Sequence, residues 1–334
     1  MTPAPNRVKL LLQQSGSPDK FPKLREQLDN LKFEGLTPAE LEDWYYARAA
    51  VEFRTAHRKE AFRYAKEGVD KFPASGRLNY SLGQEYEALG KPDLMLACFR
   101  KVKPGPDLGA AYLTAMARYF YLWGMFKEGL EMIDPIFQTY HSLKIIDDHF
   151  LYIRGLPFYS EAFGFLAALA VLSGEPKLAA VELEKGSKDL ADYHFGREQL
   201  TLNATLSGDW SPVLDELETY LASPEAVAAP AGYPSALRAV LLSRKAESLP
   251  KAVEILEGVK LAAEDFPWLA DALTLAKAEA AGRFEDRARE QALVQVFLAR
   301  QPFLFEPHHA FHFGFLPYQE KLREAYRKKV SDSA

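Results

Sequence analysis

The chain has 334 residues, of which 48% are hydrophobic, and it carries a formal net charge of −5 at pH 7. This length predicts two or three globular domains or one elongated array. The small acidic excess and the scatter of Lys and Arg disfavour a nucleic-acid-binding protein, because such proteins cluster their basic residues.

The cysteine content and the hydropathy of the chain indicate the cellular compartment of the protein. Cys98 is the single cysteine, which excludes an internal disulfide and a cysteine-based zinc site. It lies on an apolar helix face beside Phe99, so we expect a small buried hydrophobic residue. No apolar stretch approaches the roughly 20 residues that a membrane span needs, and the N-terminal apolar run is too short for a signal peptide. We therefore expect a cytoplasmic protein without membrane insertion.

Residues 1–36 are predicted to form an N-terminal helical cap. Helical spacing of apolar residues predicts one helix over 6–14 and a second over 19–33. The apolar face of the second helix would carry Leu24, Leu28 and Leu31.

Residues 37–140 are predicted to form three helical hairpins. Thr37 and Glu40 form a capping box around Pro38, which marks the start of the first helix. Small residues then recur at intervals of 34, each between two apolar runs with helical spacing: Ala56, Gly90 and Gly124. A helix, a tight turn and a second helix make a hairpin, which buries its apolar face only by stacking on neighbouring hairpins.

Residues 141–159 interrupt the period, since Gly124 and Gly174 lie 50 residues apart. The insertion either separates two blocks or lengthens one helix. Lengthening is favoured, because neighbouring repeats usually pack continuously. The cluster Asp147, Asp148 and His149 within it is a weak candidate for metal binding.

Residues 160–300 are predicted to form about four further hairpins. Gly174 and Gly208 restore the interval of 34. The last two hairpins, over 233–266 and 268–300, are degenerate. The final one carries Leu275, Gly282 and Ala288, with its small residue displaced by one position.

Residues 301–334 are predicted to hold an aromatic stretch followed by a capping helix over 318–329. That helix would turn Leu322, Ala325 and Tyr326 inward. A helical spacing of His308 and His312 beside His309 would suit a metal pair. The phenylalanines between them favour packing instead, so we expect no metal or cofactor.

These hairpins resemble the tetratricopeptide repeat. The interval of 34 residues and the sequence Leu82-Gly83-x-x-Tyr86 carry the resemblance, together with small residues after the turns at Ala61, Gly129 and Ala179. The resemblance implies an all-α, right-handed α-solenoid of about seven stacked antiparallel hairpins with capping helices. It also implies binding of a protein or peptide segment in a concave groove, without identifying a subfamily.

In that family the first helix of each hairpin lines the groove. Helical spacing then predicts a peptide-binding groove formed by Tyr46, Phe53, Arg54, Arg77, Tyr80, Gln84, Arg118 and Tyr121. Tyr and Arg suit recognition, since Tyr offers contact area at low entropic cost and Arg binds carboxylates in a bidentate manner. Alternatively, the aromatic residues fill gaps between repeats. Relatives that bind chaperone tails hold Lys, Asn and Arg at positions occupied here by Tyr46, Ala50, Ser81, Ala111 and Ala115, which disfavours that mechanism.

No catalytic motif accompanies the repeats. The chain lacks a glycine-rich phosphate loop, a nucleophile elbow and a catalytic-cysteine signature. The leading hypothesis is a non-catalytic scaffold that binds a protein or peptide segment. The alternatives are a peptide-sensing regulatory receptor and a structural subunit of a larger assembly, as a homo- or hetero-oligomer.

Overall fold

The computed structural model describes residues 6–13, 18–102, 110–143, 166–181, 203–204, 206–207, 209–222, 238–239, 242–243, 245–259, 267–300 and 312–333. All regular structure within these ranges is helical, as predicted. None of the described helices is long and apolar enough to cross a membrane. The chain divides into two compact units. Unit 1 is Met1–Ala162 with Arg327–Ala334, and unit 2 is Phe163–Tyr326.

Unit 1 contains the three predicted hairpins behind two short helices. The two short helices are α1 (Arg7–Gln13) and α2 (Phe21–Asp29), and both pack on the first helix of the first hairpin. The hairpins pair α3 (Pro38–Arg54) with α4 (Arg58–Lys71), α5 (Gly76–Ala88) with α6 (Pro92–Phe99), and α7 (Ala110–Trp123) with α8 (Phe126–Leu143). Helix α4 also packs on α5, which joins the first hairpin to the second.

The described part of unit 2 is also built from helices. Short helical segments cover 166–172 and 176–181. They are followed by α9 (Ser211–Leu221), α10 (Leu249–Glu257), α11 (Pro267–Arg283), α12 (Arg287–Arg300) and α13 (His312–Ser333), the last of which ends in residues of unit 1. Helix α11 packs on both α10 and α12. The insertion at 141–159, apart from the end of α8, and the residues His308 and His309 lie outside the described residues.

The capping box predicted at the start of α3 is present, and its Glu40 also contacts the N-terminal residues 1–36. The side chain of Thr37 accepts from the backbone of Glu40, and Glu40 accepts in return from the backbone of Thr37. Glu40 also binds the guanidinium of Arg7 at 3.1 Å. These hydrogen bonds, above all that from Arg7, hold the pKa of Glu40 at about 2. Indole Nε1 of Trp44 donates to the carbonyl of Leu28, so the cap and the first hairpin share polar contacts.

Helix α2 ends earlier than its apolar pattern predicts. Leu24 and Leu28 are buried as expected, but the helix stops at Asp29 and leaves Leu31 outside it. The ring of Phe33 then packs edge to face against Trp44 at 4.6 Å between centroids, although half of it stays exposed. The C-terminal helix is longer than predicted and buries Tyr326, while Ala325 is half-buried.

Five described turns share one backbone geometry. In each, a residue with φ between 63° and 84° follows the first helix, and the next N–H donates to the carbonyl five residues earlier at 2.8–2.9 Å. This is the Schellman ending of a helix. The left-handed residues are Ala56, Gly90, Gly124, Gly174 and Glu285. The turns predicted at the first four positions are thereby confirmed as turns.

The last hairpin departs from the predicted register. Gly282 lies inside α11, and Glu285 takes the left-handed turn position. A Cβ atom at Gly282 would lie 2.8 Å from Cδ of Glu290, so the missing side chain makes room for that buried carboxylate. In this hairpin the small residue that allows close packing, Gly282, therefore lies on the first helix, α11, and not on the second helix, α12.

The spacing of hairpins also differs between the units. The second helices of unit 1 begin at Arg58, Pro92 and Phe126, which are 34 residues apart. In unit 2, α9, α10 and α12 begin 38 residues apart, at 211, 249 and 287. The weaker repeats predicted near the C-terminus thus have a longer and regular spacing.

Candidate functional site

The candidate site is the side of α3, α5 and α7 that carries Tyr46, Tyr80 and Tyr112, which we call the first-helix face of unit 1. The three tyrosines are between 2% and 6% exposed. The hydroxyls of Tyr46 and Tyr112 hydrogen-bond to each other. The ring of Tyr80 meets that of Tyr112 edge to face, with 4.4 Å between centroids. One aromatic cluster therefore links the first helices of all three hairpins.

The predicted groove residues differ in their access to a partner. Three of them are buried: Tyr46, Tyr80 and Tyr121. Four are half-buried: Phe53, Arg77, Gln84 and Arg118. Arg54 is exposed. The buried rings fill space between helices, as the alternative reading of the sequence expects, whereas Arg54 and the half-buried side chains are open to contact.

Tyr121 lies away from the tyrosine cluster. Its ring is fully buried and lies 6.4 Å from that of Phe126, at the start of α8. The residues of α7 that join the cluster are Tyr112 and Tyr119, which sequence reasoning did not select. Their spacing of seven places them on one helical face, and that spacing was the available signal.

Arg77 is already neutralised within the protein. Its Nη2 lies 2.5 Å from Oδ1 of Asp43 and 3.7 Å from Oε1 of Glu42. Asp43 also accepts from Nδ2 of Asn6 at 2.6 Å. The guanidinium lies 5.1 Å from the centroid of Tyr46. Arg77 therefore joins the N-terminal cap and the first two hairpins.

Two polar contacts connect the second and third hairpins. Nε2 of Gln84 donates to the hydroxyl of Tyr119 at 3.0 Å, and indole Nε1 of Trp123 donates to Oε1 of Glu87 at 3.1 Å. The guanidinium of Arg118 lies 5.5 Å from the centroid of Tyr119. These contacts fix Gln84 and Arg118 beside the aromatic cluster.

Two polar side chains of this face, those of Arg54 and Tyr80, make no hydrogen bond to another described residue. Within the part of the chain that the structure describes, Arg54 has neither a hydrogen bond nor an ion pair. The hydroxyl of Tyr80 likewise has no hydrogen-bond partner among the described residues. Burial raises the pKa of Tyr80 well above its usual value, while the positive charges of Arg118 and Arg54 act in the opposite direction.

A second charged cluster is structural. Glu52 is fully buried, with Oε1 at 2.9 Å from Arg48 and 3.0 Å from Arg25, and Oε2 at 3.3 Å from His57. Arg48 also pairs with Asp29 at 2.9 Å. Since Arg25 and Asp29 belong to α2, the cluster fastens the cap to the first hairpin.

Glu85 is a buried acid with an altered protonation equilibrium. Burial raises its pKa to about 7, against the opposing charge of Arg58, whose Nη2 lies 3.4 Å away. The guanidinium of Arg58 also lies 4.3 Å from the centroid of Phe53. Glu85 is therefore a pH-dependent element between the first two hairpins.

Groups that could support chemistry are sparse in the described residues. Cys98 is buried in α6, as predicted, and burial raises the pKa of its thiol. A buried thiol with a raised pKa is a poor nucleophile. No described residues form a group of three or more His, Cys, Asp or Glu side chains that could hold a metal ion.

Comparison of the chain with protein-family models, with curated proteins and with solved structures finds no match. The function of the chain is therefore inferred from the geometry of the first-helix face.

Proposed function

We propose that the chain is a non-catalytic, cytoplasmic scaffold of the tetratricopeptide type that binds a segment of another protein on the first-helix face of unit 1. In this proposal the hairpins stack as a right-handed α-solenoid, and the face lies on its concave side. First and second helices alternate along unit 1, and this alternation places equivalent residues of successive hairpins along one surface. That arrangement supports the proposal.

The observation that carries the proposal is the combination of a rigid aromatic floor with accessible charge. The floor consists of Tyr46, Tyr80 and Tyr112, which hold one another in place. Arg54, on the helix of Tyr46, is exposed, and Gln84, on the helix of Tyr80, is half-buried. Protein-binding surfaces characteristically combine rigid aromatic residues with arginine, because both supply contact area and directional hydrogen bonds.

The test is capture of partners from a cell lysate by the full-length chain. The informative substitution is Arg54→Glu, because Arg54 is exposed and its replacement leaves the core intact. The matched control is Arg63→Glu on the second helix α4, where the arginine is also exposed. We expect Arg54→Glu to lose partners that the wild type and the control retain. An identical partner set for all three proteins would contradict the proposed surface.

A further inference from the structure

The first-helix face contains a buried tyrosine, Tyr80, whose hydroxyl can donate a hydrogen bond. The residue is 6% exposed, and its ring is fixed edge to face against Tyr112 and stacked on Phe99 at 6.0 Å. Its oxygen has no hydrogen-bond partner in the described parts of the chain. A polar group this deeply placed costs free energy unless a partner satisfies it. Among the described residues the hydroxyl is therefore a donor that a ligand bound on this face could use.

Arg54 and Arg118 contribute positive charge around the Tyr80 hydroxyl. Arg54 is exposed on α3, which packs directly on α5, the helix of Tyr80. It has no ion-pair partner among the residues that the structure describes. Arg118 on α7 lies with its guanidinium 5.5 Å from the ring centroid of Tyr119. The charges of both arginines act on the Tyr80 hydroxyl. An anion seated here would accept a hydrogen bond from Tyr80 and pair with Arg54.

The surrounding acids favour a singly charged anion. Asp43 is buried and its charge offsets that of Arg77, which also lies 3.7 Å from Oε1 of Glu42. Glu87 is buried beside Trp123, and its negative charge acts on the neighbouring Tyr119. A carboxylate matches this modest positive excess better than a phosphate group, which carries nearly two negative charges at neutral pH.

We infer that the first-helix face of unit 1 contains a subsite for an Asp or Glu side chain of the bound segment, formed by the Tyr80 hydroxyl and the Arg54 guanidinium. The inference rests on the proposed function, because it specifies the chemical group that the same surface recognises. Charge-assisted hydrogen bonds to arginine and tyrosine are the strong type, so this subsite would select acidic segments.

The substitution Tyr80→Phe separates binding from stability. Since the hydroxyl has no partner among the described residues, its removal leaves the ring contacts with Tyr112 and Phe99 in place. We expect the unfolding midpoint to stay the same or rise, while affinity for the acidic ligand falls. A hydroxyl with only a structural role would lower the midpoint instead. Tyr112→Phe is the opposite control, because it breaks the hydrogen bond to Tyr46 without touching the subsite.

The probe is a fluorescein-labelled hexaglutamate peptide with an amidated C-terminus, added to the full-length chain and followed by fluorescence anisotropy. Hexaglutamine is the neutral control. We expect binding of hexaglutamate only, weakened about fivefold to tenfold by Tyr80→Phe or by Arg54→Gln. Arg63→Gln on α4 should leave the affinity unchanged. Added salt should weaken binding, since the partners are charged.

Three results would overturn the inference. The first is that hexaglutamate binds no more tightly than hexaglutamine, or that Tyr80→Phe and Arg54→Gln bind hexaglutamate as tightly as the wild type does. Another is binding only when the peptide ends in a free carboxylate, which would assign the subsite to a chain terminus. The third is a phosphoserine peptide that binds more tightly than hexaglutamate through Arg54. Each leaves the proposed scaffold function intact if lysate partners are still lost in Arg54→Glu.

Discussion

The hydroxyls of Tyr46 and Tyr112 share a hydrogen bond, although the two residues lie 66 positions apart on the first helices of the first and third hairpins. The second hairpin lies between these two in the chain, and its Tyr80 packs against Tyr112. The three hairpins of unit 1 are therefore coupled directly, in addition to the contacts between neighbours.

Loss of this bond should destabilise unit 1. Tyr46→Phe removes one hydroxyl and leaves the other without that partner, at a cost of about 1–2 kcal/mol in the free energy of unfolding. The double substitution of Tyr46 and Tyr112 by Phe should cost less than the sum of the single ones, with a coupling energy of about 1 kcal/mol. Urea unfolding of the four proteins measures this cycle. Strict additivity would show that the bond contributes nothing.

Stability should depend on pH through Glu85. Its pKa in the folded protein is about 7, above the value of an exposed glutamate, so the folded state binds the proton more tightly. The stabilisation from the protonated form is complete below about pH 4.5 and is lost as pH rises to about 7. This loss amounts to roughly 3 kcal/mol.

Glu85→Gln should remove most of that dependence and make the variant more stable than the wild type at pH 8. The measurement is the urea midpoint between pH 5 and pH 8. Glu128→Gln on the exposed surface of α8 is the control and should behave as the wild type does. A wild-type pH profile that persists in the Glu85 variant would contradict the assignment.

The turn at Ala56 should be improved by glycine. Ala56 has φ of 63°, a conformation that costs any residue with a Cβ atom. Ala56→Gly should therefore raise the free energy of unfolding by about 0.5–1 kcal/mol, despite the greater entropy of glycine in the unfolded chain. Thermal and urea unfolding provide the measurement. The reverse change, Gly90→Ala, should lower stability, and equal signs for the two substitutions would refute the turn geometry.

Gly83 should resist substitution even by alanine. An added Cβ atom would lie 2.7 Å from Cδ1 of Phe99, in the contact between α5 and α6. Helix propensity alone favours alanine by about 1 kcal/mol, but overpacking of this kind costs about 1–3 kcal/mol. We expect net destabilisation in urea unfolding.

The combination of Gly83→Ala with Phe99→Leu should recover part of the stability lost on adding the methyl group. A stabilising Gly83→Ala substitution would mean that the two helices are less closely packed than the structure indicates.

Local signals predicted the hairpins of unit 1, because Gly90, Gly124 and the capping box at Thr37 report backbone geometry directly. The last turn escaped prediction because Glu285 holds a left-handed conformation without the usual glycine. Its tertiary context overrides the local preference. Gly282 then suggested a wrong register, since a glycine that makes room for Glu290 cannot be told from a turn glycine by sequence alone.

The candidate site was only partly predictable for a related reason. Helical spacing placed Tyr46, Arg77 and Tyr80 on neighbouring helices, and the structure brings them together. The same spacing selected Tyr121 on α7 where Tyr112 and Tyr119 occupy the face. A small rotation of α7 about its axis changes which of its residues lie on the first-helix face. The contacts that set this rotation are made with residues distant in sequence, such as Tyr46.

The C-terminal residues of unit 1 have a consequence for synthesis. A methyl group at Gly90 would lie 3.5 Å from Cγ1 of Val330, and one at Gly124 would lie 2.9 Å from Nη1 of Arg327, so the end of α13 covers these two turns. Ribosomes add about 5–20 residues per second. The turns are therefore made about 10–40 seconds before their cover emerges. A nascent chain would expose this surface throughout that interval.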